Sequence, residues 1–461
     1  MKQFIILCIV LFFQTYSNAQ FGSQQIISTE ANLARAVYAA DLDGDGEMDV
    51  LSASEADDKV AWYKNIIDDG LGSFGPQQII TESLDAAIDV FATDIDGDGD
   101  MDVLSAAKQD DRIVWFRNTD GMGNFSPQII ITNLTNGAIS VFATDLDGDG
   151  DVDVLSASYN DNKIAWYENT DGLGSFGAQQ IITNQAQSTR DVYAADLDGD
   201  GDMDVLAAST ASDEILWFEN TDGLGNFGVE KIISSNSDGV LSVFATDIDG
   251  DGDMDVLSAD FGDDTVAWFE NTNGQGNFGS KQIISTTVLF TKSVYAADLD
   301  NDGDMDVLSA SSSNSESVLY WYENINGFGI FGSEQVITTN VDGVRDIFTS
   351  DIDNDGDMDV LSASPGDDKI AWYENYTILG VEETLDSKIK IHPNPANTIL
   401  YISNSSNYSI NSLQITDLQG KLVIQVHNNT SQQDISSLVA GVYFVKIITD
   451  KGSLVKKIIK E

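Results

Sequence analysis

Short β-branched and aromatic runs, separated by polar turns, fill the chain from Phe21 to Asn375, and their order repeats. The first copy reads as a strand over residues 36–40, an acidic loop, a strand over 49–54, a turn, a strand over 59–65, a Gly-rich turn over 68–72 and a strand over 74–81. These runs are too short and too β-branched for helices. Four antiparallel strands in succession make one propeller blade. The acidic loops begin at Asp41, Asp94, Asp145, Asp196, Asp247, Asp298 and Asp351, with spacings of 53, 51, 51, 51, 51 and 53 residues, and such a period marks a propeller or an array. The chain opens on a lone fourth-strand segment, FGSQQII at 21–27, whereas the seventh copy stops after its third strand at Asn375. One end supplies what the other lacks. The N-terminal segment is therefore expected to be the outer strand of the last blade, leaving no open edge. The expected fold class is all-β: a seven-bladed β-propeller followed by a small C-terminal β-sandwich of Ig-like kind.

Each acidic loop places carboxylates at positions 1, 3, 5 and 9, a Gly at position 6, and at position 7 an acidic residue that offers its backbone carbonyl. In the first copy these are Asp41, Asp43, Asp45 and Asp49, with Gly46 and Glu47. The later copies carry Asp94, Asp96, Asp98, Asp100 and Asp102; Asp145, Asp147, Asp149, Asp151 and Asp153; and Asp196, Asp198, Asp200, Asp202 and Asp204. The last three carry Asp247, Asp249, Asp251, Asp253 and Asp255; Asp298, Asp300, Asp302, Asp304 and Asp306; and Asp351, Asp353, Asp355, Asp357 and Asp359. Hard oxygen ligands at every second residue, with a Gly where the chain turns sharply, are calcium spacing. An EF-hand is excluded, because position 12 holds Ser52, Ser105, Ser156, Ala207, Ser258, Ser309 and Ser362 instead of a bidentate Glu, and because the flanks are strands. Acidic turns that bind nothing are common singly. Seven with one ligand spacing would hold carboxylates that repel one another without a cation. Up to seven structural calcium ions are expected.

Every Trp takes one equivalent place on the third strand: Trp62, Trp115, Trp166, Trp217, Trp268, Trp321 and Trp372. One per copy at fixed phase reads as packing between blades, not as a row of sugar platforms. Small residues before the loop, such as Ala39-Ala40 and Ala92-Thr93, put the first strand innermost at the crowded axis. The acidic loops and Gly-rich turns then share one face, and the second-to-third turns and crossovers share the other. On that second face, Arg35, Ile88, Ile139, Arg190, Leu241, Lys292 and Arg345 are expected around the channel mouth. The four cations Arg35, Arg190, Lys292 and Arg345 are candidate ligands for an acidic sugar or carboxylate. The plainer expectation is that Asp191, Asp346 or nearby loop acids neutralise them. An alternative site lies on the outer loops around Tyr159, Phe261 and Phe290.

Composition narrows the setting. Residues 1–19 read as a secretory signal peptide, with Lys2, an apolar run over 4–13 too short to span a bilayer, and Ser17-Asn18-Ala19 before Gln20. The single Cys, Cys8, lies in that run, so the mature chain is expected to lack disulfides and to depend on burial and metal. The formal charge is −54, and the seven loops alone hold 35 acidic residues. Such a surface disfavours nucleic acid and anionic membranes. Both histidines, His392 and His427, fall after Asn375, so the repeats offer neither Ser-His nor Cys-His catalysis and no His-ligated zinc.

The Phe-Gly openings of the fourth strand (Phe21-Gly22, Phe74-Gly75, Phe176-Gly177) and the DxDxDGxxD loops resemble the FG-GAP, or VCBS-type, repeats of integrin α-chain propellers and calcium-stabilised propeller lectins. The resemblance spans 21–375. It implies the propeller fold and calcium, and leaves the ligand open, because that family includes adhesins, lectins and polysaccharide-active enzymes. After a linker at 376–387, residues 388–461 change character, with eight Lys against five acidic residues from Asp386 onward. Alternating runs at 398–403, 413–416, 422–426 and 442–448 predict a small antiparallel sandwich. IHPNPANTILYIS, DLQGK, LVAGVYFVKI and the basic end at Lys456, Lys457 and Lys460 resemble the type A C-terminal sorting domain of the type IX secretion system. His392 stands where that family more often has Tyr. This resemblance implies a secreted or outer-surface protein and makes the type IX machinery a partner. The expected function is a calcium-stabilised binding module, adhesin or lectin-like, for a glycan or matrix partner. The alternatives are a lyase using Tyr or Lys as base, and a purely structural surface protein.

Overall fold

The computed structural model describes residues 20–66, 73–313, 317–376, 389–404, 410–416, 421–427, 431–449 and 452–461. The expected signal peptide, the Gly-rich turn at 68–72, most of the linker and most of the DLQGK turn lie outside these. Contacts divide the chain into two units, Met1–Ile378 and Leu379–Glu461, a division that falls inside the stretch read as linker.

The first unit is strand and turn among its described residues, arranged as repeated four-stranded antiparallel sheets in the manner of a β-propeller. The first sheet runs in chain order through Ala34–Ala40, Asp49–Ser54, Lys59–Tyr63 and Gln78–Thr81. Its inner strand begins two residues before the expected one, with a bulge between Ala34 and Ala36. Its outer strand is short, because Phe74 contributes only an isolated bridge to Asn65 and Pro76, which follows, has no N–H for a ladder. Six sheets keep this chain order. The sheet of the last repeat differs. Its order is Gln25–Ser28, Lys369–Tyr373, Asp359–Ser364 and Asp346–Ser350, with Gln25 opposite Trp372 and Ile26 opposite Ala371. Its inner strand, Asp346–Ser350, and that of the second repeat, Ala87–Thr93, both touch Ala34–Ala40, so the circuit of inner strands returns to its start.

Two kinds of seam join neighbouring sheets. The first is apolar: each Trp is buried between its own sheet and the next, in clusters such as Trp62 with Leu51, Val90 and Phe116. A Cβ on Gly123, in the Gly-rich turn of the second repeat, would lie 2.2 Å from the Trp62 ring, and Gly123 has φ of +74°. Only Gly meets both demands there. The same pairing joins Trp115 to Gly174 and Trp166 to Gly225.

The second seam is polar. An Asn three residues after each Trp donates its amide to the carbonyl at loop position 2 of the preceding repeat: Asn118 to Leu42 and Asn169 to Ile95, both at 2.8 Å. Asn65 of the first repeat reaches Ile352 of the last at 2.6 Å, so this seam also runs round the whole circuit.

The second unit has a three-stranded sheet (Ile389–His392, Ile399–Asn404, Gln432–Asp434) and a four-stranded sheet in the order Leu422–His427, Ile410–Thr416, Gly441–Thr449, Gly452–Lys460. Both sheets contribute to one core containing Leu400, Ile402, Leu413, Val445 and Ile458. The segment read as a basic end is a nine-residue edge strand, Gly452–Lys460, with Ile458 buried and Lys457 and Ile459 facing out.

Candidate metal loops and the basic channel mouth

Each acidic loop follows an inner strand and re-enters the sheet at its second strand, so the strand ladder fixes the two ends of the loop. Between them the chain folds on position 1. In the first repeat, Gly44 and Gly46 N–H donate to Asp41, and Glu47 N–H donates to Asp45. Gly46 has φ of +93°, with nothing near its missing Cβ. Position 9 is the buried anchor. Asp49 is 0% exposed and accepts Leu42 N–H at 3.0 Å and Asn65 N–H at 2.8 Å. The other six anchors accept the same pair of N–H groups, as at Asp153 and Asp306.

Positions 1 and 3 converge with position 5 or position 9. One carboxylate oxygen from each of Asp94, Asp96 and Asp102 lies within 4.8 Å of the others, as do those of Asp145, Asp147 and Asp153, and of Asp196, Asp198 and Asp204. Asp41, Asp43 and Asp45 cluster likewise, as do Asp247, Asp249 and Asp251. Position 7 behaves differently: Asp100, Asp151, Asp202, Asp253 and Asp304 lie against the first Gly of their own Gly-rich turn, as Asp100 does against Gly121. Burial pushes the carboxyls of Asp49, Asp102, Asp153, Asp204, Asp255 and Asp306 up to about 7 and that of Asp359 to about 8, against the pull of the two N–H donors. Asp43 Oδ1, Asp96 Oδ1, Asp198 Oδ1, Asp249 Oδ1 and Asp355 Oδ2 are buried without a hydrogen-bond partner. Buried oxygens that nothing satisfies, in a set made only of carboxylates, fit a hard divalent cation and not a soft one.

At the other end of the inner strands, Arg35, Ile88, Ile139, Arg190, Leu241, Lys292 and Arg345 line one depression of about 80 Å³. Asp89, Asp191 and Asp346 line the same depression, and Asp346 and Asp191 act electrostatically on Arg345, but their carboxylates also take backbone N–H groups. Asp346 accepts Val37 N–H at 3.0 Å, Asp191 accepts Val243 N–H at 3.0 Å and Asp89 accepts Val141 N–H at 2.9 Å, each tying one inner strand to the next. Ser140 and Ser242 accept the N–H of Val192 and Val294 in the same way. Arg35 ion-pairs with Glu55. Arg190 lies over the Tyr159 ring at 4.2 Å and Lys292 over Phe261 at 3.9 Å, while Phe290 lies 5.1 Å from Phe261. Tyr159 and Phe261 thus lie directly beside two of the four cations. Arg190 Nε is buried without a partner. Burial and the neighbouring Arg345, Arg190 and Arg35 push Lys292 down to about 8, and burial with Arg190 and Arg35 pushes Arg345 down to about 10. Phe290 holds φ of +57°, an outlier for a bulky side chain, and its N–H donates to Asp264 at 2.7 Å.

Below the mouth, a cavity of about 310 Å³ runs to a closed collar of seven aromatic rings, from Tyr38 and Phe91 round to Tyr295 and Phe348, with centroids 4.4 to 5.3 Å apart.

The repeat geometry matches a known family. Residues 41–105, 94–156, 145–207, 196–258, 247–309 and 303–362 match the FG-GAP-like repeat. The chain belongs to the FG-GAP-like repeat family. Residues 390–461 match the secretion system C-terminal sorting domain, which marks this FG-GAP-like protein as one exported by the type IX system to the cell surface or beyond. FG-GAP-like repeats are often calcium-binding. Among the described residues, no helix is long and apolar enough to cross a membrane.

No curated protein matches the chain. Among solved structures, PorZ of Porphyromonas gingivalis, an essential surface component of its type-IX secretion system, is similar at 14% identity and a TM-score of 0.44, over 90% of this chain and 58% of PorZ. The chain thus spans little more than half of PorZ. Rhamnogalacturonan lyase YesW is similar at 14% identity and a TM-score of 0.43, over 74% of this chain and 72% of YesW. A functionally unknown protein from Desulfotomaculum acetoxidans is similar at 11% identity and a TM-score of 0.46, over 83% of this chain and 98% of its own.

The seam Asn series has a signal in the sequence that went unused: an Asn stands three residues after every Trp. The residue just before this Asn reaches the acidic loop, as Lys64 does toward Asp43 and Asp45, which adjacency in sequence does not reveal.

Proposed function

We propose that the protein is a secreted, calcium-stabilised binding module, a seven-bladed propeller at 20–375 with an Ig-like sorting sandwich at 388–461, that takes an acidic glycan at the basic mouth of its channel. The observation that carries this reading is the meeting of Arg35, Arg190, Lys292 and Arg345 in one depression beside Tyr159 and Phe261, in a chain of net charge −54. Cations that depress one another's pKa are stabilised by an incoming carboxylate or sulfate, and aromatic faces beside them suit the apolar face of a sugar ring. Calcium at the converged Asp oxygens would neutralise the loops and hold the sheet ends together. The inner-strand circuit and the shared last sheet support seven closed blades; the two tail sheets around one core support the sandwich.

The test is a glycan and matrix-protein binding screen of the secreted protein with calcium. Changing Arg190 and Arg345 together to Ala is expected to weaken acidic-glycan binding at least about tenfold, the equivalent of 1.4 kcal/mol, with the melting temperature nearly unchanged. Undiminished affinity in that variant removes the site from the mouth. A second reading, a lyase, draws on Lys292, whose ammonium is pushed down to about 8, near the range a general base needs. New absorbance from an unsaturated product on uronate polymers would establish it, and its abolition in Lys292→Met would place the base.

A further inference from the structure

The residue that precedes the seam Asn divides the seven loops into two classes. In repeats 1 and 2 it is a cation, Lys64 or Arg117, and in repeats 3 to 7 it is Glu168, Glu219, Glu270, Glu323 or Glu374. From the end of the third strand this side chain turns onto its own acidic loop. Lys64 Nζ pairs with Asp43 and, at 2.8 Å, with Asp45. Arg117 lies 2.7 Å from Asp96 and donates to Asp98 at 2.9 Å. These carboxylates are loop positions 3 and 5. In the other class, the Glu is an electrostatic neighbour of position 3: Glu168 of Asp147, Glu219 of Asp198, Glu270 of Asp249, Glu323 of Asp300 and Glu374 of Asp353.

We propose that the loops of repeats 1 and 2 are closed by the protein's own cation and take no calcium, so that the ring holds five ions, one in each of repeats 3 to 7. The proposal rests on the calcium reading above. Four ligand carboxylates with a cation among them carry a net charge of about −3, and the same four with a Glu carry about −5, or about −4 in repeat 4, where Lys231 pairs with Glu219 at 2.5 Å, so the two classes attract a divalent ion differently. An ion entering loop 1 or 2 would have to displace the ammonium or guanidinium from two of its ligands and then remain beside it. In loops 3 to 7 it meets an additional hard oxygen donor.

The experiment counts calcium per chain after dialysis of the full protein against saturating calcium, with elemental analysis. Five ions are expected, six in Lys64→Glu or Arg117→Glu, and seven in the double variant. Seven ions in the unaltered protein, or variants that leave the count unchanged, overturn the proposal. A count of zero overturns the calcium reading itself and this proposal with it. Hydrogen exchange on the unaltered protein gives a second test, independent of whether the variants fold. On chelation the amides of Gly44 and Gly46 are expected to keep their protection while those of Gly148 and Gly150 lose it, although both pairs donate to position 1 of their loops. Equal loss in the two pairs overturns the proposal.

Discussion

The two ends of the inner strands meet the same electrostatic problem with opposite signs. On one face, carboxylates are crowded together seven times over by one nearly invariant loop; at the other, four cations crowd one mouth and each is placed differently, against Glu55, Tyr159, Phe261 or no ion-pair partner among the described residues. Repetition on the acidic side indicates a scaffold role, because every seam needs the same closure. Irregularity on the basic side is what the proposed recognition role requires, because a ligand is met only once. The difference teaches where to look on a repeat protein: the strongest sequence signal marks the shared framework, and the variable positions across the channel from it are where selectivity is to be sought.

The largest expected effect is on the acidic face. A ligand that binds only the folded state at a thousandfold over its Kd contributes about 4 kcal/mol per site. Chelation is therefore expected to lower the melting temperature by about 10 °C or more, and a curve unmoved by chelator would leave the loops of repeats 3 to 7 as mere turns. Next comes closure, which both faces share. Deleting residues 21–27 removes the ladder opposite Trp372 and Ala371 and the Phe21–Trp321 contact at 6.3 Å, and should cost at least about 3 kcal/mol by burial alone, read as a lower denaturant midpoint. An unchanged midpoint would mean that the last sheet stands without its fourth strand.

The smallest effect sharpens the basic side. Burial, with Asp346 and Asp191 as like-charged neighbours, pushes Asp89 up to about 8 against the pull of Val141 N–H. An Asp whose carboxyl is raised in the folded state binds more protons folded than unfolded between about pH 4 and pH 8, so its contribution to stability falls as pH rises through that window. Asp89→Asn keeps an acceptor for Val141 and should flatten this slope. Melting temperatures of the two proteins in excess calcium are expected to converge at pH 5 and to separate at pH 8, with the variant higher. Parallel curves would show that Asp89 is ionised throughout.

The repeat, its strand order and the role of Trp62 were legible because periodicity in a single chain acts as seven readings of one pattern. The seam Asn was overlooked because an Asn at a strand end reads as turn chemistry; that Asn118 reaches Leu42, 76 residues away, depends on which repeats become neighbours. Asp191 and Asp346 were read as partners of the adjoining Arg because they are adjacent in sequence. That reading holds electrostatically for Arg345, which Asp346 and Asp191 both favour in its charged form, but adjacency could not show that the same carboxylates also accept the N–H groups of the next inner strand. The Gly452–Lys460 strand was passed over because its lysines suggested a solvated end, yet the alternation that buries Ile458 was there.

The sharing of one sheet by residues from both ends has a further consequence. A stacked array has a first and a last member, and loss of either exposes the next. Here Gln25–Ser28 is seated against Lys369–Tyr373, and Tyr376 N–H reaches Gln20 O at 2.8 Å, so no repeat is terminal. A protease that cuts one surface crossover makes two pieces, each still gripped by the other at two seams, and the hoop stays shut. For a protein working outside the cell, where no chaperone refolds it, resistance to wear then comes from the way the chain is threaded as much as from the strength of any one contact.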